Sequence, residues 1–266
     1  MADEQQKRDE AEEAKSLDAK TTYEVIRLEG LEELERATSA LAWSGLAAGL
    51  SMGFSFLAEA LLRSHLPDAP WRPLIAKTGY SVGFLIVVLG SQQLFTENTL
   101  TPIVPLLHQW SAARLRNVLR LWGAVLAANL VGATLFAFAL ARLEVVDPQV
   151  QQAFGDLARE AMKFSVPVTM LHAVYAGWLI ALMVWMLPGA ESSKPLVIIV
   201  MTYIVGLAGF AHVIAGSIEV MYAVARGDVS IGHVIIGWML PTLVGNVVGG
   251  LTMVAALNHA QATSGE

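Results

Sequence analysis

A few residues in this chain place polar or ionisable chemistry inside otherwise apolar sequence: Thr96, Glu97, His212 and Glu219. His212, in Gly209-Phe210-Ala211-His212-Val213-Ile214-Ala215-Gly216, is the histidine set deepest in an apolar segment. His65, His108, His233 and His259 fall at segment ends, where interfacial water accounts for them, and His172 is the rival. An ionisable group in hydrocarbon is expensive and marks a pathway more often than a soluble core histidine does. Its near-neutral reference pKa suits it to lending a proton or a positive charge to an anion. The competing reading is a structural histidine satisfied by hydrogen bonds.

The stretch Gly90-Ser91-Gln92-Gln93-Leu94-Phe95-Thr96-Glu97-Asn98-Thr99-Leu100-Thr101-Pro102 is polar and carries a carboxylate within an apolar segment. Non-helical chain at membrane depth survives only when shielded by protein or lining a cavity, so residues 90–102 are predicted to break a helix beside a pathway. Leu94 and Phe95 fit a hydrophobic gate, or equally core packing. Thr96 and Thr99 are placed to cap a half-helix restarting near Leu100, since threonine oxygens accept from free N–H groups there. That half-helix N-terminus carries partial positive charge. Glu97 and Glu219 are open to three readings: neutralising helix ends, pairing with His212, or discouraging anions from passing. No metal-ligand cluster, phosphate loop or nucleophile–base arrangement stands out, so neither an enzyme, a metal nor a cofactor is expected.

The elements that hold these residues are membrane spans. Hydrophobic residues make up 55% and charged residues 15%, against about 25% charged in soluble domains; the mean hydropathy is +0.54. There is no cysteine, which excludes disulfides and thiolate chemistry. The net charge of −6 comes largely from the first 40 residues and offers nucleic acid nothing. The N-terminus lacks a secretory signal pattern, so no cleavage is expected. Residues 1–20 are predicted disordered, and an amphipathic surface helix follows from Tyr23, with partner binding as the competing reading. Three domains are expected: an N-terminal tail over 1–36, a channel domain over 37–259 with halves 37–143 and 164–259, and a C-terminal tail over 260–266.

A span needs roughly 20 apolar residues. Six segments qualify, at about 37–62, 78–108, 118–141, 164–187, 195–225 and 231–259. The second and fifth are interrupted, the fifth around Gly209–Gly216. Gly45, Gly49 and Gly53 form a small-residue stripe on the first, read as helix packing. Residues 63–77 are read as an external connection and 144–163 as a short outer surface helix. Arg114, Arg116 and Arg120 beside the membrane place both termini in the cytoplasm, although basic residues beyond the tail number four on that side and seven on the other.

Ala128-Asn129-Leu130-Val131-Gly132 in segment three is matched by Gly245-Asn246-Val247-Val248-Gly249 in segment six. Each follows a broken segment, so segments 1–3 and 4–6 share one pattern, and three spans per half inverts the second half. Asn129 and Asn246, with Gly132 and Gly249, are read as braces for the breaks.

At Leu94-Phe95-Thr96, at Gly209-Phe210-x-His212 and at both Asn-x-x-Gly motifs, the chain resembles the formate/nitrite transporter family over about residues 37–258, in a bacterial branch with an LFTENTLTP first break. The resemblance implies an all-α, aquaporin-like fold: six transmembrane helices in a 3+3 inverted repeat, helices two and five broken, and a homopentamer with one pore per protomer. It implies passage of small monovalent anions such as formate, nitrite, hydrosulfide or lactate. Leu94 and Phe95 would form the cytoplasmic-side constriction, and Thr96 would hydrogen-bond the pore histidine, His212. The chain departs from the family at Ala211, where an acidic residue is usual, at Gly216 for asparagine, at Val205 for an aromatic gate, at Ala181 for asparagine, and at the added Glu97.

The expectation is a bacterial inner-membrane channel or transporter for a small monovalent anion and protons, with His212 assisting permeation along a path of Leu94, Phe95, Thr96, Glu97 and Val205. The alternatives are a channel for a neutral or cationic solute in the same fold, motivated by Glu97, and a non-transporting scaffold or sensor acting through residues 1–36.

Overall fold

The computed structural model describes residues 17–143 and 145–263. Most of the charged N-terminal run, through residue 16, and the last three residues, 264–266, lie outside the described residues, and with them most of the predicted disorder and the end of the expected C-terminal tail. Helices account for all the regular structure among the described residues.

Helix α1 (Ala19–Glu35) begins where the Asp18 carboxylate accepts the Thr21 N–H at 2.7 Å, a helix N-cap. It buries Thr22, Ile26, Gly30 and Leu34, spaced by four so that they form one stripe. Arg120 closes its other end by donating to the Leu34 and Arg36 carbonyls at 2.8 and 2.9 Å. Gly30 meets the Thr101 carbonyl and the Pro105 ring so closely that a Cβ would collide with them, which seats α1 beneath the first break.

The spans follow as α2 (Thr38–His65), α3 (Arg72–Leu89) with α4 (Ile103–His108), α5 (Ala112–Arg142), α7 (Val166–Ala190), α8 (Lys194–Ala208) with α9 (Val213–Arg226), and α10 (residues 231–263). Five helical stretches among the described residues are long and apolar enough to cross a membrane on their own. One of them, Val166–Ala208, contains both α7 and α8, between which the chain turns at Glu191 with φ of 40°. Counting each broken helix as one passage gives six. α3 starts at Arg72, inside the connection expected over 63–77, because Pro73 fits a first helical turn.

The outer helix α6 (Pro148–Ala161) does more than lie on a surface. It buries Val150, Ala153, Phe154, Leu157 and Ala158 against α2 and α9, and the Phe154 ring sits 4.6 Å from Phe56 and 5.2 Å from Tyr222.

Both breaks sit where the sequence placed polar or glycine-rich chain. α3 stops at Gly90, and residues 90–102 hold only a short 3-10 turn, Glu97–Thr99. α8 stops at Gly209, whose φ of +66° is a left-handed terminus suited to glycine, and α9 starts after His212. α10 carries one π turn at Ile235–Met239.

The inverted repeat is explicit in the packing. The two most extensive helix pairs are α2–α5 and α7–α10, one in each half. A Cβ on Gly49 of α2 would fall on the Asn129 carbonyl, and one on Gly177 of α7 would fall on the Asn246 carbonyl. Gly132 of α5 meets Leu46 and Leu50, while Gly249 of α10 meets Val174 and Trp178, again matching positions. Gly45 and Gly53 close the same seam against Ala128 and Phe136, so the glycine stripe of α2 is a packing surface.

Candidate functional site

Each break is held by one asparagine. The Asn129 carbonyl oxygen accepts the Phe95 N–H at 2.9 Å, and its amide donates to the Gly45 and Gln93 carbonyls at 2.7 and 2.8 Å. Asn246 repeats the pattern: it accepts from Val213 N–H at 2.8 Å and donates to the Ala173 and Ala211 carbonyls at 2.8 and 2.9 Å. Backbone groups in a break have no helical partner, and leaving one buried and unmet costs about 1–3 kcal/mol. A side chain with one acceptor and two donors meets two such groups and ties them to a neighbouring helix through a third bond, to Gly45 of α2 or Ala173 of α7.

The two breaks meet at Thr96 and His212. Thr96 Oγ1 lies 2.7 Å from His212 Nε2, and both residues are buried. His212 Nδ1 accepts the Ala215 N–H at 3.1 Å, so the ring also caps α9. This bond fixes the tautomer: Nδ1 is an acceptor, and in the neutral ring Nε2 carries the hydrogen and donates to Thr96 Oγ1. Phe84 of α3 stands edge-to-face on the other side, its ring centroid 5.1 Å from the imidazole.

Some sequence expectations correct here. Thr96 and Thr99 do not cap the restarting half-helix: Thr96 faces His212, and Thr99 Oγ1 donates to the Thr96 carbonyl at 2.8 Å. In the second break the cap is a nitrogen, His212 Nδ1, which accepts the Ala215 N–H. Neither Glu97 nor Glu219 pairs with His212.

Two cavities lie near this contact, one lined by His212 and the other by Leu94 and Glu97; Thr96 is buried and lines neither. The one beyond His212, away from α1, is about 290 Å³ and is lined by His212, Val205, Tyr80, Thr169, Lys77 and Glu219, among others. Val205 is buried, and the space beside it at Gly206 is occupied by the Tyr80 ring. Lys77 forms an ion pair with the buried Glu59 of α2. Ala211 borders this cavity and supplies only its carbonyl, to Asn246. His172 also lines it, with Nδ1 3.2 Å from the Gly209 carbonyl and its ring between Phe164 and Phe210.

The cavity on the α1 side is about 440 Å³ and includes Leu94, Glu97, Gln92 and Lys194, with Glu29, Glu32 and Glu33 from α1. Leu94 is fully buried. Phe95, the second gate candidate, turns away from both cavities and packs edge-on against Trp122 of α5 at 5.8 Å. Ala181 of α7 is buried in the core.

Three contributors escaped sequence reasoning. Phe84 looked like any apolar span residue; its spacing of about two turns before the break was the available signal. Trp238 fills the space an asparagine-sized side chain at Gly216 would need, since a Cβ there would fall on the indole; its Nε1 donates to the Ala161 carbonyl at 2.9 Å. The Glu59–Lys77 pair was readable only as one lone carboxylate in the first segment.

Comparison with known proteins agrees with this fold. The formate/nitrite transporter family model matches residues 20–260. The inner membrane protein YfdC of Escherichia coli (strain K12) is 39% identical over 243 residues, which is 91% of this chain and 78% of that one. Two solved structures share the fold. A pentameric formate channel with formate bound superposes with a TM-score of 0.71 at 20% identity, over 86% of this chain and 100% of that one. An FNT family ion channel gives 0.73 at 18% identity, over 90% and 98%.

Proposed function

This chain belongs to the formate/nitrite transporter family, a family of membrane transport proteins and not of enzymes, and we propose that it conducts a small monovalent weak-acid anion past His212. The observation that carries this reading is the 2.7 Å contact between Thr96 and His212, with His212 lining one cavity and Leu94, two residues before Thr96, lining the other. Moving a bare charge through a dry apolar wall costs at least roughly 2.5–3.5 kcal/mol on insertion scales. A histidine N–H at that wall lowers the barrier by hydrogen-bonding the anion while it takes up a proton from water, so that it crosses as the neutral acid.

The pathway then runs from the cavity at Val205 and Tyr80, past His212 and Thr96, to Leu94 and the cavity under α1. Asn129 and Asn246 hold the breaks open without needing to touch the solute, and Gly132 and Gly249 let their helices close on the partners. The α1 side is taken as cytoplasmic, the membrane as the bacterial inner membrane, and the assembly as a homopentamer with one pore in each protomer. The pentameric formate channel of the same fold and the inner-membrane relative support these last readings.

The test is uptake of formate, nitrite and hydrosulfide into proteoliposomes across external pH 5 to 8. Flux that rises as pH falls and is lost in His212→Ala supports the reading. Flux unchanged in that variant, at every pH, rejects it.

A second reading, a channel for a neutral or cationic solute, draws on Glu97 in the α1-side cavity. Anion flux raised by Glu97→Gln favours the first reading; cation flux lowered by it favours the second.

A further inference from the structure

The α1-side cavity is short of positive charge. Its walls present the carboxylates of Glu29, Glu32, Glu33 and Glu97 against the single ammonium of Lys194. Glu33 is already paired with Arg36 at 3.0 Å. Glu29, Glu32 and Glu97 have no ion pair within 4 Å among the described residues.

A second observation adds Gln92, which stands outside that cluster. Two buried oxygens of residues lining this cavity, Glu97 Oε1 and Gln92 Oε1, accept no hydrogen bond. Their neighbour Gln93 is satisfied, since its Oε1 takes the Asn98 amide at 2.9 Å. Buried polar atoms in folded proteins nearly always find a partner, and both vacancies here are acceptors. At the rim, burial pushes the Glu29 carboxyl above its ordinary range; Lys194 pulls it back down, while Glu32 and Glu33 push it further up.

We propose that this cavity binds a small nitrogen cation, ammonium or a short primary amine, with Glu97 and Gln92 accepting its N–H groups and Glu29 and Glu32 at the mouth. A cation with N–H donors answers both deficits together: it supplies charge to the carboxylates and hydrogens to the two vacant oxygens. A metal ion fits less well, because no group of three or more histidine, aspartate or glutamate side chains able to hold one occurs among the described residues. One carboxylate oxygen and one amide oxygen are a hydrogen-bonding pair for an ammonium centre. The site stands whichever solute the pore carries, so it can fail without the anion pathway failing, and the reverse.

The experiment is thermal unfolding of the full-length purified protein in lipid nanodiscs, in ammonium, methylammonium, potassium and sodium chloride at matched ionic strength. Potassium is the decisive control, being a monovalent cation with no N–H to donate. Ammonium and methylammonium are expected to raise the Tm by several degrees where potassium and sodium do not, and Glu97→Gln is expected to abolish the difference. Gln92→Leu is expected to reduce it. Should Glu97→Gln fail to fold, the double variant Glu29→Gln with Glu32→Gln, at the mouth, must weaken the ammonium effect at least several-fold in concentration. An equal shift in potassium, or an ammonium shift that survives in these variants, overturns the proposal.

Discussion

Leu94 and His212 occupy the same position in the two halves of the repeat. Asn129 clasps the backbone of Gln93 and Phe95, the residues on either side of Leu94. Asn246 clasps Ala211 and Val213, the residues on either side of His212. The same clamp therefore presents an isobutyl group from one break and an imidazole from the other. Leu94 lines the cavity under α1 and His212 the opposite one. The two-fold relation is thus kept in the backbone and given up in chemistry, which leaves an apolar side chain lining one cavity and a protonatable one lining the other.

Removing the Thr96 hydroxyl tests its contact with His212. Thr96→Val keeps the shape but leaves His212 Nε2 without its partner in a buried site, at a cost of about 1–3 kcal/mol. Anion flux in proteoliposomes is expected to fall by about tenfold or more, with an altered pH profile. Thr96→Ser, which keeps the hydroxyl, is expected to retain most of the flux. Equal flux in both variants would mean that the hydroxyl plays no part.

The asparagine clamps set the stability of the breaks. Asn246→Ala leaves Val213 N–H and the Ala211 carbonyl unmet and removes the second bond to the Ala173 carbonyl of α7. Interhelical hydrogen bonds in membranes average about 0.6 kcal/mol each, and buried groups left unpaired cost about 1–3 kcal/mol. The expected loss is therefore about 2–4 kcal/mol, read as a lowered unfolding midpoint in detergent. Asn129→Ala is expected to lose a similar amount, because its three bonds are equivalent. A loss in only one of the two would break the argument from symmetry.

Glu29 gives a pH-dependent outcome. Its carboxyl lies above the ordinary value of 4.5 chiefly through burial, so the folded state prefers the protonated form. Its contribution to stability is full below pH 4.5 and is lost as pH rises through the folded value. Glu29→Gln, neutral throughout, is expected to match the native chain near pH 4 and to exceed its Tm at pH 7. A variant less stable at pH 7 would show that the ionised carboxylate is held by a favourable partner.

Much of the architecture could be read in advance because the relevant signals are local. A polar run with a carboxylate inside apolar sequence marked the first break, and Gly209 beside His212 marked the second. The repeated Asn-x-x-Gly announced the two clamps before their six bonds were seen. What stayed hidden depends on residues distant in sequence that meet only in three dimensions. From its local sequence Thr96 is equally able to cap its own helix or to reach across 116 positions to His212, and only the family resemblance points to the second. Phe84 and Trp238 are apolar residues in apolar spans, and only packing shows that one backs the imidazole and the other fills the place left by Gly216. Docking of α1 under the first break was equally invisible, since Gly30 reads as a flaw in a helix until Pro105 is found against it.

The π turn at Ile235–Met239 has a consequence for phase. A wide turn carries one residue more than the α-helical path, and at 3.6 residues per turn one residue is about 100° of rotation. Everything C-terminal to Met239 is therefore dialled round the axis of α10 by that angle relative to an uninterrupted helix. Asn246 and Gly249 point at the second break and at α7 in this rotated frame, while Trp238, within the turn itself, points at Gly216. The wide turn thus sets the angle between the face of α10 that meets Gly216 and the face that meets α7 and the second break.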